Sequence, residues 1–176
     1  SGTSRMKYWI FKYPFILKLF LNLFPPLFFS GIKITYISQD FHRFQIKLRN
    51  WPGTRNANGS QFGGSLFSMS DAVYGTILMA ILGDKYYVWD KKSVINFKHP
   101  GFGAVYLEGV ITPLFIREII EHTKNGEKYF PTVFATVHDK KGNEIATVSR
   151  TLYVRLKNQY RQSSSSFSST PLTEKK

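Results

Sequence analysis

The sequence predicts one α+β domain, in which an antiparallel sheet wraps a long central helix and an amphipathic helix precedes them. Two observations carry this prediction. Segments with alternating apolar residues, typical of strands, lie on both sides of one long apolar segment with helical spacing. Their order, two strands, one helix and then a run of strands, suits an antiparallel sheet packed on a single helix.

The main domain is placed at residues 31–157. The central helix is predicted from Gly63 to Leu82, because its apolar residues recur at i, i+3 and i+4 and Gly83 can end it. A short helix is predicted at 114–124. The strands are predicted at 32–37, 44–48, 86–97, 104–112, 132–139 and 144–156.

The two ends of the chain are predicted to differ from this domain. Residues 1–5 read as a cloning remnant before Met6, and the Ser-rich residues 162–176 are predicted to be disordered. Residues 6–30 are predicted to form an amphipathic helix, with an apolar face of Ile16, Leu19, Phe20, Leu23 and Phe24 opposite Lys18 and Asn22. We expect this face to pack on the domain, with an interfacial membrane helix or a signal or anchor segment as alternatives.

Composition narrows the chemistry that is open to the chain. A net charge of +13 favours an anionic partner: a nucleic acid, an anionic membrane, an acidic carrier protein or a ligand rich in phosphate. The absence of cysteine excludes disulfides, thiolate metal sites and cysteine nucleophiles. The four histidines are scattered without metal-ligand spacing, so we expect no metal site.

Asp71 is the most informative single residue. Between Arg55 and Asp84 it is the only carboxylate or basic side chain, and it lies inside an apolar helical segment. Helical spacing places it on the face of Phe67 and Tyr74, so we expect its side chain to point toward an apolar interior or cleft. A carboxylate stripped of water is a stronger base and nucleophile, although a purely structural hydrogen bond is the alternative.

Gly63 and Gly64 add a second element at the predicted helix start. Glycines there allow a ligand to approach backbone N–H groups at the positive end of the helix dipole, where they can stabilise negative charge on a ligand oxygen. A tight turn is the plainer interpretation of the pair.

The segment from Asn56 to Asp71 resembles the active-site segment of hot-dog acyl-CoA thioesterases of the phenylacetate-pathway type. The family's pattern is Asn, Gly three residues later, His-Gly-Gly, and an acidic residue seven positions after the second glycine. This sequence matches it at every position except the histidine, where it has Phe62. The resemblance implies that Asn56, Gly63 and Asp71 are catalytic: Asn56 places ligand or water, the Gly63 N–H polarises the carbonyl, and Asp71 is base or nucleophile. It implies substrate contacts at Gly59, Phe62, Gly64 and Phe67, with Phe62 standing where many relatives have histidine.

A wider resemblance, from about Leu23 to Arg155, is to a branch whose members are often described only as domains of unknown function. The resemblance to hot-dog thioesterases implies an acyl-CoA or acyl-carrier-protein thioester as substrate with no other cofactor, and a homodimer or a dimer of dimers. It also implies a cytoplasmic protein, with peripheral membrane contact through residues 6–29 left open. Candidate phosphate contacts are Arg55, Lys91, Lys92, Lys98, Arg117, Arg150 and Arg155.

Two other functions compete with hydrolysis. Loss of the histidine at Phe62 and the aromatic-rich chain favour a non-catalytic protein that binds acyl chains or lipids. Nucleic-acid binding would use the positive charge, but the basic residues are spread along the chain without a recognition motif, so no nucleic-acid partner is expected.

Overall fold

The computed structural model describes residues 9–161, so the predictions for residues 1–5 and 162–176 lie outside the described part. In chain order the elements are α1 (Pro14–Leu23), α2 (Pro25–Phe29), β1 (Ile32–Ile37), β2 (Arg43–Leu48), α3 (Gly63–Ser68), α4 (Asp71–Leu82), β3 (Tyr86–Phe97), β4 (Val105–Val110), α5 (Pro113–Thr123), β5 (Thr132–Asp139) and β6 (Glu144–Leu156). Short 3₁₀ turns occur at Pro52–Thr54 and Asn158–Tyr160.

The six strands form one antiparallel sheet in the order β1-β2-β4-β5-β6-β3. The longest ladder joins β3 to β6, from Tyr86 opposite Leu156 to Phe97 opposite Ala146. The predicted α+β class with an antiparallel sheet is confirmed. Because β1 and β3 are the two edges, each exposes one row of backbone groups that no strand of the described chain pairs.

The core lies between α4 and the inner face of the sheet. Val73, Ile77 and Leu78 on α4 are fully buried in one cluster with inward-facing strand residues such as Leu107 and Val137. Burial of such apolar surface stabilises the fold by roughly 25 cal/mol per Å². Residues Gly63–Leu82 are long and apolar enough to cross a membrane by length and composition alone, and 47% of this stretch is buried inside the domain.

The predicted single helix from Gly63 to Leu82 is interrupted at Met69 and Ser70. The N–H of Ser70 donates to the Phe67 carbonyl at 3.2 Å, a tighter turn than an α-helix makes, and the Ser70 hydroxyl donates to the same carbonyl at 2.9 Å. A serine that bonds the backbone locally competes with the helix ladder. The break places Asp71 at the start of a new helix, α4.

The N-terminal segment also differs from its prediction, because α1 presents the opposite face to the domain. Leu17 and Leu21 are buried, and the Asn22 side chain donates to the Ile34 carbonyl at 2.9 Å and accepts from the Ile34 N–H at 2.7 Å. Asn22 thereby hydrogen-bonds the backbone N–H and carbonyl of Ile34 on the edge strand β1, which an apolar side chain could not do. The expectation that Leu19, Phe20, Leu23 and Phe24 pack on the domain is wrong, since these side chains are exposed.

Candidate functional site

The loop before α3 is organised around Asn56. Its Oδ1 accepts from the N–H groups of Asn58 at 3.0 Å and Ser60 at 3.2 Å, and its Nδ2 donates to the Ser60 hydroxyl at 2.8 Å. Gly59 has a φ of +77°, which favours glycine. The Asn56 oxygen is therefore fully used, while one amide hydrogen remains for a ligand.

The glycine pair begins α3, with Phe62 as the residue before the first helical turn. The N–H groups of Gly63 and Gly64 precede any intrahelical acceptor, so their positions leave them available as donors. Both glycines are also needed for packing. A Cβ on Gly63 would lie 3.1 Å from the Phe97 ring, and one on Gly64 would collide with the Phe62 ring.

Asn56 and Gly63 line one cavity of about 320 Å³. Its other lining residues come from the same loop, from α3 and from the segment after β3, namely Ser60, Gln61, Leu66, Phe97, Lys98, His99, Pro100 and Gly101. A backbone hydrogen bond of 2.8 Å from Gln61 to Gly101 joins the two segments. Of the predicted site residues, Gly59, Phe62, Gly64, Phe67 and Asp71 do not line this cavity within one chain.

His99 is a cavity residue that sequence reasoning did not select. Its Nδ1 lies 2.8 Å from the Glu144 carbonyl oxygen, so this nitrogen carries the proton and donates. In the neutral ring Nε2 then has a lone pair that can accept a proton. No local spacing in the sequence marks His99, because contacts between distant segments, such as the Gln61–Gly101 hydrogen bond and the β3–β6 ladder, bring it to the cavity of Asn56.

Gln61 is a buried polar residue that lines the cavity. Its Nε2 donates to the carbonyls of Arg49 at 3.0 Å and Gly103 at 2.7 Å. Its Oε1 is buried and has no hydrogen-bond partner among the described residues. An unpaired buried acceptor is costly, so the cavity wall can gain stability from a donor that enters it.

Asp71 does not point into an apolar interior, contrary to the prediction. Its side chain is 56% exposed, and its Oδ1 accepts from Arg150 Nη1 at 3.0 Å. The same Arg150 nitrogen donates to Asp90 on β3 at 2.8 Å. The helix break turns Asp71 outward, and its place at the start of α4 also favours a negative charge there.

Arg150 is buried, which rules out the phosphate-contact role considered for it. The side chain is 2% exposed, its Nη2 donates to the Ser70 hydroxyl at 3.2 Å, and its Cζ lies 5.6 Å from the centre of the Phe67 ring. Burial raises the pKa of the neighbouring Tyr74 to about 12, an effect that the Arg150 charge partly opposes. Arg150 therefore fixes Asp71, Ser70 and Asp90 around one buried cation.

Residues 15–154 match the family described as a domain of unknown function, DUF4442. The match covers most of the chain. The chain belongs to this family. No curated protein matches the DUF4442 chain in sequence.

Solved structures with the same fold include proteins described as thioesterases or as probable thioesterases. A Pseudomonas aeruginosa protein of unknown function, described as a probable thioesterase, is similar with a TM-score of 0.74 and 17% identity over 83% of this chain and 99% of that one. A protein of unknown function from Chlorobaculum tepidum has a TM-score of 0.67 and 13% identity over 84% and 98% of the two chains. A Haemophilus influenzae thioesterase has a TM-score of 0.59 and 14% identity over 80% and 89%.

These similarities establish the fold of the DUF4442 chain. It has the hot-dog fold of thioesterase-like proteins, as the resemblance of the Asn56 to Asp71 segment implied. At such low identity the likeness concerns the fold, so function is argued from the residues of the site.

Proposed function

We propose that this protein hydrolyses an acyl thioester of coenzyme A or of an acyl carrier protein. The observation that carries the proposal is the shared cavity, which Asn56, Gly63 and His99 line together and to which Asn56 and Gly63 can offer an amide and a backbone N–H donor. Such donors stabilise the oxyanion that forms when a thioester carbonyl is attacked. Release of free thiol from acyl-CoA substrates tests it. We also propose that the protein is related to the phenylacetate-pathway type of these thioesterases.

The reaction begins with the carbonyl oxygen near the Gly63 N–H and the remaining Asn56 amide hydrogen. Asp71 takes a proton from water as the water oxygen bonds to the carbonyl carbon, or it attacks the carbon itself to give a transient anhydride that water then cleaves. Collapse of the tetrahedral intermediate breaks the C–S bond, and the thiolate leaves and takes up the proton that water gives up. On the anhydride path His99 Nε2 takes this proton first, as water attacks the anhydride. The Arg150 hydrogen bond uses Asp71 Oδ1, so Oδ2 is the oxygen proposed to react.

A homodimer completes this site, because Asp71 lies outside the cavity of its own chain. Asp71 is linked through Arg150 to Asp90 on the edge strand β3, while the cavity residue Phe97 ends the same strand. Antiparallel pairing of two β3 strands would bring the first half of one strand, which holds Asp90, alongside the second half of the other, which ends at Phe97. Light scattering on the purified protein distinguishes this dimer, or a dimer of dimers, from a monomer.

The basic residue nearest this cavity is Lys98, whose side chain is exposed at the rim. We assign it the first contact with the phosphates of coenzyme A or with an acidic carrier protein. Arg55 is engaged with Asn50 Oδ1 at 2.8 Å, and Arg155 with the Gly126 carbonyl at 2.8 Å, so both are less suited to this role. The mechanism requires no cofactor apart from the coenzyme A or carrier protein that belongs to the thioester substrate. We propose a cytoplasmic location, where such thioesters occur.

His99→Asn should lower kcat by at least about tenfold, because the asparagine amide can keep the hydrogen bond of Nδ1 to the Glu144 carbonyl but cannot take up a proton. The matched control is His122→Asn, since His122 also places Nδ1 2.8 Å from a backbone carbonyl but lies on α5. The measurement is kcat as a function of pH. Equal activity and an unchanged pH profile for the two variants would exclude a proton-transfer role for His99.

A non-catalytic acyl-chain or lipid-binding protein is the second candidate. Phe62 occupies the position of the family histidine, and the Phe62 and Phe97 rings pack against the two site glycines. Aromatic rings in place of a polar group favour binding of an apolar chain. Lipid that copurifies with the protein, together with no thiol release, would favour this function over hydrolysis.

A further inference from the structure

The outward side of the first two helices is an exposed apolar surface. We call it the aromatic face and define it as Phe15, Leu19, Phe20, Leu23, Phe24, Phe28 and Phe29. Phe15, Leu23 and Phe29 are the most exposed of these, at 70%, 65% and 72%. A contiguous surface of this kind is unusual on a protein that stays in water and marks a site of interaction.

The domain itself holds the aromatic face outward. Leu17, Leu21 and Leu27 are buried, and Asn22 makes both of its hydrogen bonds to the backbone of Ile34. A rotation of α1 that buried the aromatic face would break these two bonds and expose the buried leucines. The face is therefore fixed by the fold and available to a partner.

Charge identifies what this partner is. No aspartate or glutamate occurs before Asp40, whereas Lys12 and Lys33 are exposed and Lys18 is half-buried near the same surface. Trp9 and Tyr13 are also exposed, and these two residue types are enriched at the interface between lipid and water. Apolar and aromatic side chains flanked by lysines, without acidic residues, match an anionic lipid surface.

We propose that the aromatic face docks the protein on an anionic phospholipid bilayer. α1 and α2 lie at the β1 edge of the sheet, and β3 is the opposite edge. Membrane docking therefore leaves β3 free to pair with a second subunit. The inference does not depend on thioester hydrolysis, because it rests on the exposed side chains and their charge alone.

Flotation with vesicles tests the proposal on the full chain. The wild type should bind vesicles of phosphatidylcholine mixed with phosphatidylglycerol, bind phosphatidylcholine alone more weakly, and lose affinity as salt increases. Phe15→Ser combined with Leu23→Ser and Phe29→Ser should reduce vesicle binding by about tenfold or more. The matched control combines Phe102→Ser, Leu114→Ser and Phe134→Ser, which are similarly exposed elsewhere, and should bind like the wild type.

Several results would overturn the proposal. The wild type could fail to float with anionic vesicles, or the aromatic-face variant could bind them as well as the control. Equal, salt-independent binding to both kinds of vesicle would contradict the choice of an anionic surface. The wild type could also fail to bind vesicles while the aromatic-face variant has a smaller oligomer mass than the wild type in light scattering. That result would show that a second copy covers this face.

Discussion

Asp71→Asn should reduce kcat for thioester hydrolysis by roughly 10²- to 10⁴-fold, the usual contribution of a general base. The amide has the size of the carboxylate but takes up no proton and cannot form the anhydride. The fold should persist, because Asp90 still accepts from the Arg150 guanidinium at 2.8 Å and keeps that buried cation paired. Thiol release is measured for wild type and variant at equal concentrations, with circular dichroism to verify folding.

Asp90→Asn is the matched comparison for this experiment. It makes the same chemical change on the other carboxylate that contacts Arg150, and it should retain much more activity than Asp71→Asn. Equal losses in the two variants would mean that the charge balance around Arg150, and not proton transfer by Asp71, governs the rate. Full activity in Asp71→Asn would rule out the mechanism.

The double variant Asp71→Asn with Asp90→Asn should lower the free energy of unfolding by about 3 kcal/mol, much more than the sum of the single changes. Arg150 is 2% exposed, so removal of both negative charges leaves a buried cation with neutral acceptors alone, the two asparagine carbonyls and the Ser70 hydroxyl, beside the Phe67 ring. Each single variant keeps one carboxylate. The carboxylates are 56% and 40% exposed, which limits what one of them contributes. Urea unfolding of all four proteins measures the coupling.

A second double variant controls for the change in net charge. Glu108→Gln with Glu118→Gln removes two exposed carboxylates that do not contact Arg150, and it should change stability by less than about 0.5 kcal/mol. If the aspartate pair behaves like this control, the two carboxylates do not compensate the Arg150 charge.

Strands such as β2, β4, β5 and β6 could be predicted from the sequence because they alternate between a buried and a more exposed side. In β5, Val133, Ala135 and Val137 face the core while Phe134 faces outward, so the period of two is visible in the residues themselves. The bounds of β1, β3, β5 and β6 match the prediction. Gly83 likewise marks the end of α4, with a φ of +76°.

The orientation of α1 could not be predicted from periodicity, because both of its faces are apolar. Leu17 and Leu21 lie on one face, and Leu19 and Leu23 on the other. Asn22 determines which face of α1 contacts the domain, because its side-chain amide hydrogen-bonds the Ile34 N–H and carbonyl on the edge strand β1. That hydrogen-bonding need arises only once the sheet exists, so no local pattern reveals it.

The site was predicted in part. Asn56 and Gly63 share a cavity, as the pattern suggested, since both belong to one short loop and the helix after it. The outward turn at Asp71 depends on Ser70 and on Arg150, which is 79 residues away in sequence from Asp71. The neighbourhood of His99 and Asn56 likewise depends on long-range strand register, which a single sequence does not show.

Thiol release by the wild-type protein, measured across acyl-CoA substrates of increasing chain length, tests the central claim most directly. The claim predicts turnover with a preferred acyl length, with free acid and free thiol appearing in equal amounts. No thiol release with any acyl-CoA or acyl carrier protein substrate, from protein shown to be folded, would contradict hydrolysis and leave a hot-dog protein that binds acyl chains without cleaving them.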